Sequence, residues 1–162
     1  MRAMTHEEMV MVTRRAKWAT IITVRPDGVP YAIEGTPFET ETEICFMINP
    51  NGGTSKNLKG STHVLLKYTF ASDDLEHWMG VSCLGSGRFV RDKKEIVEGW
   101  RLLGDVIGVD YSEQGRRFGA APERSPMMAV KVISRTGRCS SRPGESLPPI
   151  YPDANKKSAG TA

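Results

Sequence analysis

The sequence predicts an α+β domain, mainly β: a small closed barrel of six antiparallel strands with flanking helices. Three observations carry that expectation. Apolar, β-branched runs recur along the chain at residues 18–24, 30–38, 43–48, 62–70, 78–91 and 126–134. Short polar or glycine-bearing turns separate the early runs, which argues antiparallel pairing. Helical periodicity is confined to the N-terminal segment, a short piece after the third run and one segment after the fifth, and no internal repeat is present.

Thr5-His6-Glu7-Glu8 has the form of a capping box, with Thr5 as N-cap and Glu8 three residues on. Met9, Val12 and Ala16 follow at helical spacing, and Arg14, Arg15 and Lys17 lie where cations suit the helix dipole. After the first strand, Arg25-Pro26-Asp27-Gly28 is a turn, because Pro26 presets φ and Gly28 tolerates a positive one. In the second strand Gly35 and Pro37 mark a bulge or an edge. Residues 39–42 form a hairpin tip, and residues 54–59 a short helix between the third and fourth strands. The fifth strand is long and bent at Gly85 and Gly87. Asp92 caps the next helix, whose apolar stripe is Ile96, Trp100, Leu103 and Ile107, and Gly108 ends it. Residues 109–124 read as an irregular connection. The domain expected is 1–135, and the Pro/Ser/Gly-rich tail 136–162 is expected to be disordered or to cross to a partner subunit.

A chain of 162 residues suffices for one domain with a sizeable core. The net charge of +3 is mild and its basic residues are scattered, so nucleic acid is not an expected partner. An anionic small ligand fits that charge as well as any macromolecule does. Cys45, Cys83 and Cys139 form no CxxC pair, so no metal site is expected, and the sparse, odd count suits a reducing cytoplasm. Cys45 and Cys83 lie in apolar runs and read as small core residues. The N-terminus carries no apolar leader and no run reaches membrane-spanning length, so the expectation is a cytoplasmic protein with no membrane partner.

The richest stretch is Asn49-Pro50-Asn51-Gly52-Gly53-Thr54-Ser55-Lys56-Asn57-Leu58. A strand, a glycine-rich turn, then hydroxyls and a lysine at a helix start can hold a phosphate: main-chain N–H groups converge on the anion and Lys56 adds charge. The spacing is neither that of a P-loop nor that of a dinucleotide fingerprint. The competing reading is a Gly-Gly turn with a Thr or Ser helix cap and a solvated Lys56. His6, His63 and His77 have no carboxylate or Cys at ligand spacing and read as structural or solvated, and Gly85-Ser86-Gly87 lacks the flanks of a nucleophile elbow. Glu34 is either a solvated outward residue or a polar group at a ligand edge. Trp100 reads as a core anchor, and Trp18 and Trp78 either pack the core or wall a planar ligand, core packing being preferred.

The order and spacing of these motifs resemble the FMN-binding split-barrel family, which includes pyridoxamine 5′-phosphate oxidase, nitroimidazole-resistance flavoproteins and small bacterial FMN-binding proteins. The resemblance covers about residues 5–134. Its carriers are Asp27-Gly28-Val29-Pro30-Tyr31, the strand at 44–49, the turn into Thr54-Ser55-Lys56-Asn57-Leu58, and Gly80-Val81-Ser82-Cys83-Leu84-Gly85-Ser86-Gly87 before Asp92. It implies a six-stranded split β-barrel acting as a homodimer, with two FMN sites at the subunit interface and flavin-mediated hydride or electron transfer to a small molecule. By the resemblance, Thr54, Ser55, Lys56 and Asn57 hold the phosphate, and the ring edge lies against the strand backbone at Ile33, Glu34, Gly35 and Thr36 and at Met47, Ile48 and Asn49. Gly80, Val81 and Ser82 are the implied partner side. No catalytic side chain is implied. Lys56 stands alone where the oxidase has an Arg-Lys pair, and the oxidase's C-terminal substrate pattern is not recognisable, so pyridoxamine phosphate oxidation is not implied. Met47 stands where many nitroimidazole-resistance proteins carry His. Two alternatives share the fold: a reductase using the deazaflavin F420, for whose anionic tail Arg25, Lys59 and Arg88 are available, and a non-enzymatic flavin or haem carrier with His63 or His77 as axial ligand.

Overall fold

The computed structural model describes residues 1–150. In chain order the elements are β1 (Arg2–Ala3), α1 (His6–Arg15), β2 (Ala19–Val24), β3 (Pro30–Gly35), β4 (Phe38–Glu39), β5 (Ile44–Met47), α2 (Gly53–Gly60) and β6 (His63–Ala71). Then follow β7 (Trp78–Phe89), α3 (Lys93–Ile107), α4 (Ser112–Ala120), a 3-10 turn (Pro122–Arg124) and β8 (Met127–Cys139). The strands form one eight-stranded sheet in the order β3-β2-β6-β7-β8-β5-β4, with β1 beside β8. Every pairing is antiparallel.

The sheet curls until β3 and β5, near opposite ends of its strand order, meet across the interior. A Cβ on Gly35 would lie 3.0 Å from Phe46 Cδ1 and 3.1 Å from Ile21 Cδ1, so glycine permits this closure. One apolar cluster fills the curl and includes Ile21, Phe46, Leu66, Tyr68, Met79, Val81 and Met128. A second lies under α3 and joins Phe38, Cys45, Ile96, Trp100, Leu103 and Met127.

Local chemistry explains the boundaries. The Thr5–Glu8 capping box forms in both directions. In the β2–β3 hairpin Gly28 has φ +84°, its N–H reaches Arg25 O at 2.9 Å, and Asp27 Oδ1 accepts from Val29 N. Asp92 caps α3 by accepting from Glu95 N at 2.9 Å, and Gly108 ends it in the left-handed region. The β7–β8 register shifts between Leu84 and Gly85, at one of the two expected bends, with Ile133 as the extra, bulged residue on β8.

Eight strands replace the expected six. Pro37 has no N–H for a ladder, and the expected second strand divides there into β3 and β4. β1 adds a two-residue pairing to β8. The expected irregular connection contains α4, which lies on α3 through small residues: a Cβ on Gly119 would be 3.0 Å from Val97 Cγ2. Ile107 is exposed although its spacing placed it in the α3 stripe, and Trp18, preferred as a core residue, is 66% exposed. β8 runs to the buried Cys139 rather than ending at Ser134. Leu147 and Ile150 pack against the first cluster, whereas residues 151–162 of the expected tail lie outside the described residues.

Candidate functional site

The turn after β5 shapes itself. Asn49 Oδ1 accepts from Asn51 N at 2.9 Å, and Asn49 O accepts from Gly52 N at 3.1 Å. Helix α2 then starts with Gly52 as its N-cap, in extended conformation and with no side-chain cap. Neither Thr54 nor Ser55 is therefore the cap that the capped-turn reading required; both lie inside the helix and are buried. The Thr54 Oγ1 is buried without a hydrogen-bond partner. The first turn of α2 holds no acid, so nothing in it offsets the positive end of the helix dipole. Lys56 is exposed beside it.

Three contacts fix α2 on the barrel. Asn57 Nδ2 donates to Thr23 Oγ1 on β2 at 2.9 Å, with both residues buried. Leu58 lies over Gly87 on β7, where a Cβ would be 3.2 Å from Leu58 Cδ2 and 2.6 Å from Val64 Cγ2. The Tyr31 ring covers Gly53, where a Cβ would stand 2.7 Å from Tyr31 Cζ. A glycine at the first helical position thus admits an aromatic ring directly above the start of α2.

The outer face of the sheet carries a second array. Register aligns Glu34 with Thr20, Thr20 with Lys67, Lys67 with Ser82, and Ser82 with Thr136. Thr20 Oγ1 donates to Glu34 Oε1 at 2.8 Å, and Lys67 Nζ donates to Ser82 Oγ at 3.3 Å. Beside this polar row runs an apolar one, Ala32-Ile22-Leu65-Leu84, which meets Ser134 on β8 next to the exposed bulge residue Ile133.

The sequence-derived residues divide by face. Thr54, Ser55, Lys56 and Asn57 stay together on α2, and Asn49 adjoins them in the turn. Glu34 and Ser82 share the outer row, with Gly80 on the same face of β7. Gly35, Ile48 and Val81 are buried, and the half-buried Ile33 packs against the same first cluster. Met47 packs against the second cluster, and Thr36 is half-buried between β3 and β4. For these inward residues only the main chain is available to a ligand on the outer face. His63 and His77 are both exposed. Burial pushes the Cys83 thiol up, opposed by the nearby Arg135 guanidinium, and takes the Cys45 thiol to about 12, so neither is poised as a nucleophile.

Sequence reasoning missed Thr23 and Tyr31, which reach α2 from the first hairpin, and the cations Arg117 and Arg124. The latter stand with Asn49, Ser55 and Lys59 around one cleft. Arg117 lies on α4, which Gly115 and Gly119 obscure in the sequence because glycine disfavours a helix.

No family model and no curated protein matches the sequence. Solved structures do match. A candidate 5-nitroimidazole antibiotic resistance protein of Bacteroides thetaiotaomicron superposes with a TM-score of 0.72 at 15% identity, over 85% of this chain and 86% of that one. The chain has the split-barrel fold. An FAD-binding protein of Mesorhizobium loti gives a TM-score of 0.62 at 15% identity, over 86% of this chain and 98% of its own. An F420 reductase gives 0.53 at 17% identity, over 77% and 93%. At these identities the likeness establishes the fold, and function has to be argued from the site.

Proposed function

We propose that this chain binds FMN and is an FMN-dependent oxidoreductase of the pyridoxamine 5′-phosphate oxidase-related type, working in the cytoplasm as a homodimer. The observation that carries the proposal is the start of α2, an uncapped, acid-free helix N-terminus with a buried and unpartnered Thr54 hydroxyl. These residues fit a phosphate. The Thr54 hydroxyl and main-chain N–H groups would donate to it, and Lys56 would add a charge. Asn57, which the resemblance also assigns to the phosphate, donates through Nδ2 to Thr23 Oγ1 and so also orients the helix. The flavin-related descriptions of neighbours of the same fold support a flavin-type cofactor.

Bound there, the flavin would supply the hydride or electron chemistry. This chain's residues would hold and shield it. Tyr31 covers the glycine that opens α2. Glu34, Thr20, Lys67 and Ser82 offer a hydrogen-bonding row on the outer face. The adjacent apolar row supports dimerisation, because pairing two copies there would remove Leu84 and Ile133 from water.

A visible absorption spectrum of the freshly purified protein, followed by FMN titration, tests the proposal. Lys56→Ala removes a charge-assisted hydrogen bond of about 1.5–3 kcal/mol, or about 10- to 150-fold in affinity. Unchanged FMN affinity in that variant would overturn the phosphate assignment. The F420 reductase of the same fold favours a second reading, reduction with a deazaflavin. Parallel titrations decide it, since tighter binding of F420 than of FMN reverses the order.

A further inference from the structure

We propose that the cleft between α2, α4 and the 3-10 turn is a second anion subsite, which takes a phosphoryl group lying beyond the cofactor's first phosphate. The inference rests on the flavin-site reading, because Asn49 and Ser55 border both the cleft and the phosphate cradle.

The cleft has a volume of about 530 Å³. Its charged residues are Lys59 from α2, Arg91 from the link before α3, Arg117 from α4, Arg124 from the 3-10 turn, and a single carboxylate, Glu123. Several arginines outside the cleft meet carboxylates: Arg2 with Glu8, Arg14 with Glu39, Arg25 with Asp27, Arg88 with Glu43 and Glu95, Arg101 with Glu98 and Asp105. Among the described residues Lys59, Arg117 and Arg124 make no ion pair, although Glu123 lies in the same cleft.

The cations stand on anchored elements. Arg91 Nη1 donates to the carbonyls of Val90 at 3.1 Å, Pro122 at 3.2 Å and Ser125 at 3.0 Å, which ties the 3-10 turn to the link between β7 and α3. Phe118 stacks on Trp100 at 5.5 Å and so fastens α4 to α3, while Arg117 lies over the Phe118 ring at 5.5 Å. A single phosphate carries about −1.5 to −2 charges and is already met by Lys56 and the start of α2. The cleft cations are surplus to it. Their like charges repel, and an anion seated among them would relieve that repulsion. A pyrophosphate matches the pattern. It would arrive as part of a dinucleotide flavin or as part of a separate substrate beside FMN.

The full-length protein and the variant Arg117→Ala/Arg124→Ala are titrated at low ionic strength with inorganic pyrophosphate, FMN and FAD. A charge-retaining variant, Arg117→Lys/Arg124→Lys, and urea midpoints control for folding. The expected result is pyrophosphate binding that weakens at least about tenfold in the alanine variant and is largely kept in the lysine variant, with FMN affinity within about twofold. If FAD binds tighter than FMN and the variant loses that advantage, the phosphoryl group belongs to the cofactor. If FAD has no advantage and pyrophosphate binds the FMN-loaded protein, it belongs to a separate ligand. Pyrophosphate that fails to bind the wild type, or binds the alanine variant equally well, overturns the subsite whatever FMN does. Pyrophosphate binding that the wild type shows and the alanine variant loses, in a protein that takes up no flavin, keeps the subsite and overturns the flavin reading instead.

Discussion

The Asn57–Thr23 hydrogen bond is expected to be a stability determinant and the main polar tie between α2 and the barrel. The two side chains are 34 residues apart in sequence and 2.9 Å apart in space, and are 4% and 1% exposed. Thr23→Val removes the hydroxyl at nearly constant volume and strands the Asn57 amide; Asn57→Leu strands the hydroxyl. Each single change should cost about 1–3 kcal/mol, because a buried polar group loses its partner without regaining water. The double variant leaves no orphan there, so it should lose less than the sum, with a coupling of about 0.5–3 kcal/mol. Urea denaturation of the four proteins gives the cycle directly. For a chain of this size each kcal/mol should also lower Tm by about 2–4 °C. Strict additivity, or singles that cost less than about 0.5 kcal/mol, would refute the claim that this bond holds α2 in place. FMN titration of the same variants checks the link to function, since a helix that shifts on the barrel misplaces Thr54 and Lys56 together.

Three further outcomes are expected. Gly85→Ala would put a Cβ 2.6 Å from the Lys131 carbonyl oxygen, a main-chain atom that cannot step aside, and should cost about 1–3 kcal/mol by thermal melt; Gly60→Ala, with open space, should be close to neutral. Cys45, Cys83 and Cys139 are buried, and burial takes the Cys45 thiol to about 12, so a thiol reagent at pH 8 should label none of them until denaturant unfolds the chain. The hydrogen bond from Arg2 holds the Glu8 carboxyl below its usual range, so its stabilisation is complete above about pH 4.3 and is lost as pH falls through the folded value. Glu8→Gln should therefore be less stable than wild type at pH 6, with the gap narrowing in urea titrations as pH falls below about 4.3.

What was legible in the sequence was local. The Thr5 box, the Asp92 cap, the Gly28 turn and the bend at Gly85 each rest on a few adjacent residues, and each forms. What was not legible depends on partners far along the chain. Arg2–Ala3 is too short to show alternation and becomes a strand because β8 continues to Cys139 beside it. Gly115 and Gly119 lower helix propensity, which invited a loop, yet their missing side chains let α4 settle on Val97 and Trp100 of α3. The ring edge implied by the resemblance lies against strand backbone, which a run of consecutive residues can offer. Their side chains alternate, so Gly35 turns inward while Glu34 stays outside, and on the implied partner side Val81 turns inward while Ser82 stays outside. Asn57 is grouped with the phosphate residues by the resemblance, and no local pattern reveals Thr23 as its partner.

The anchoring of α2 explains why its N-terminus can be left electrostatically open. An eight-residue helix is marginal by itself, and many short helices gain support from acids in the first turn. Here that support comes from elsewhere, from the Asn57 bond to β2, from Leu58 seated over Gly87 and from Tyr31 over Gly53. None of these contacts places a negative charge at the helix start. The helix can therefore keep an acid-free first turn and a buried hydroxyl without a partner, a combination unfavourable to folding by itself and favourable to an anion. Lys59 and the arginines of the neighbouring cleft extend the same bias beyond Ser55. Stability is drawn from the barrel wall, and the positive potential of the exposed end is left for a ligand to satisfy.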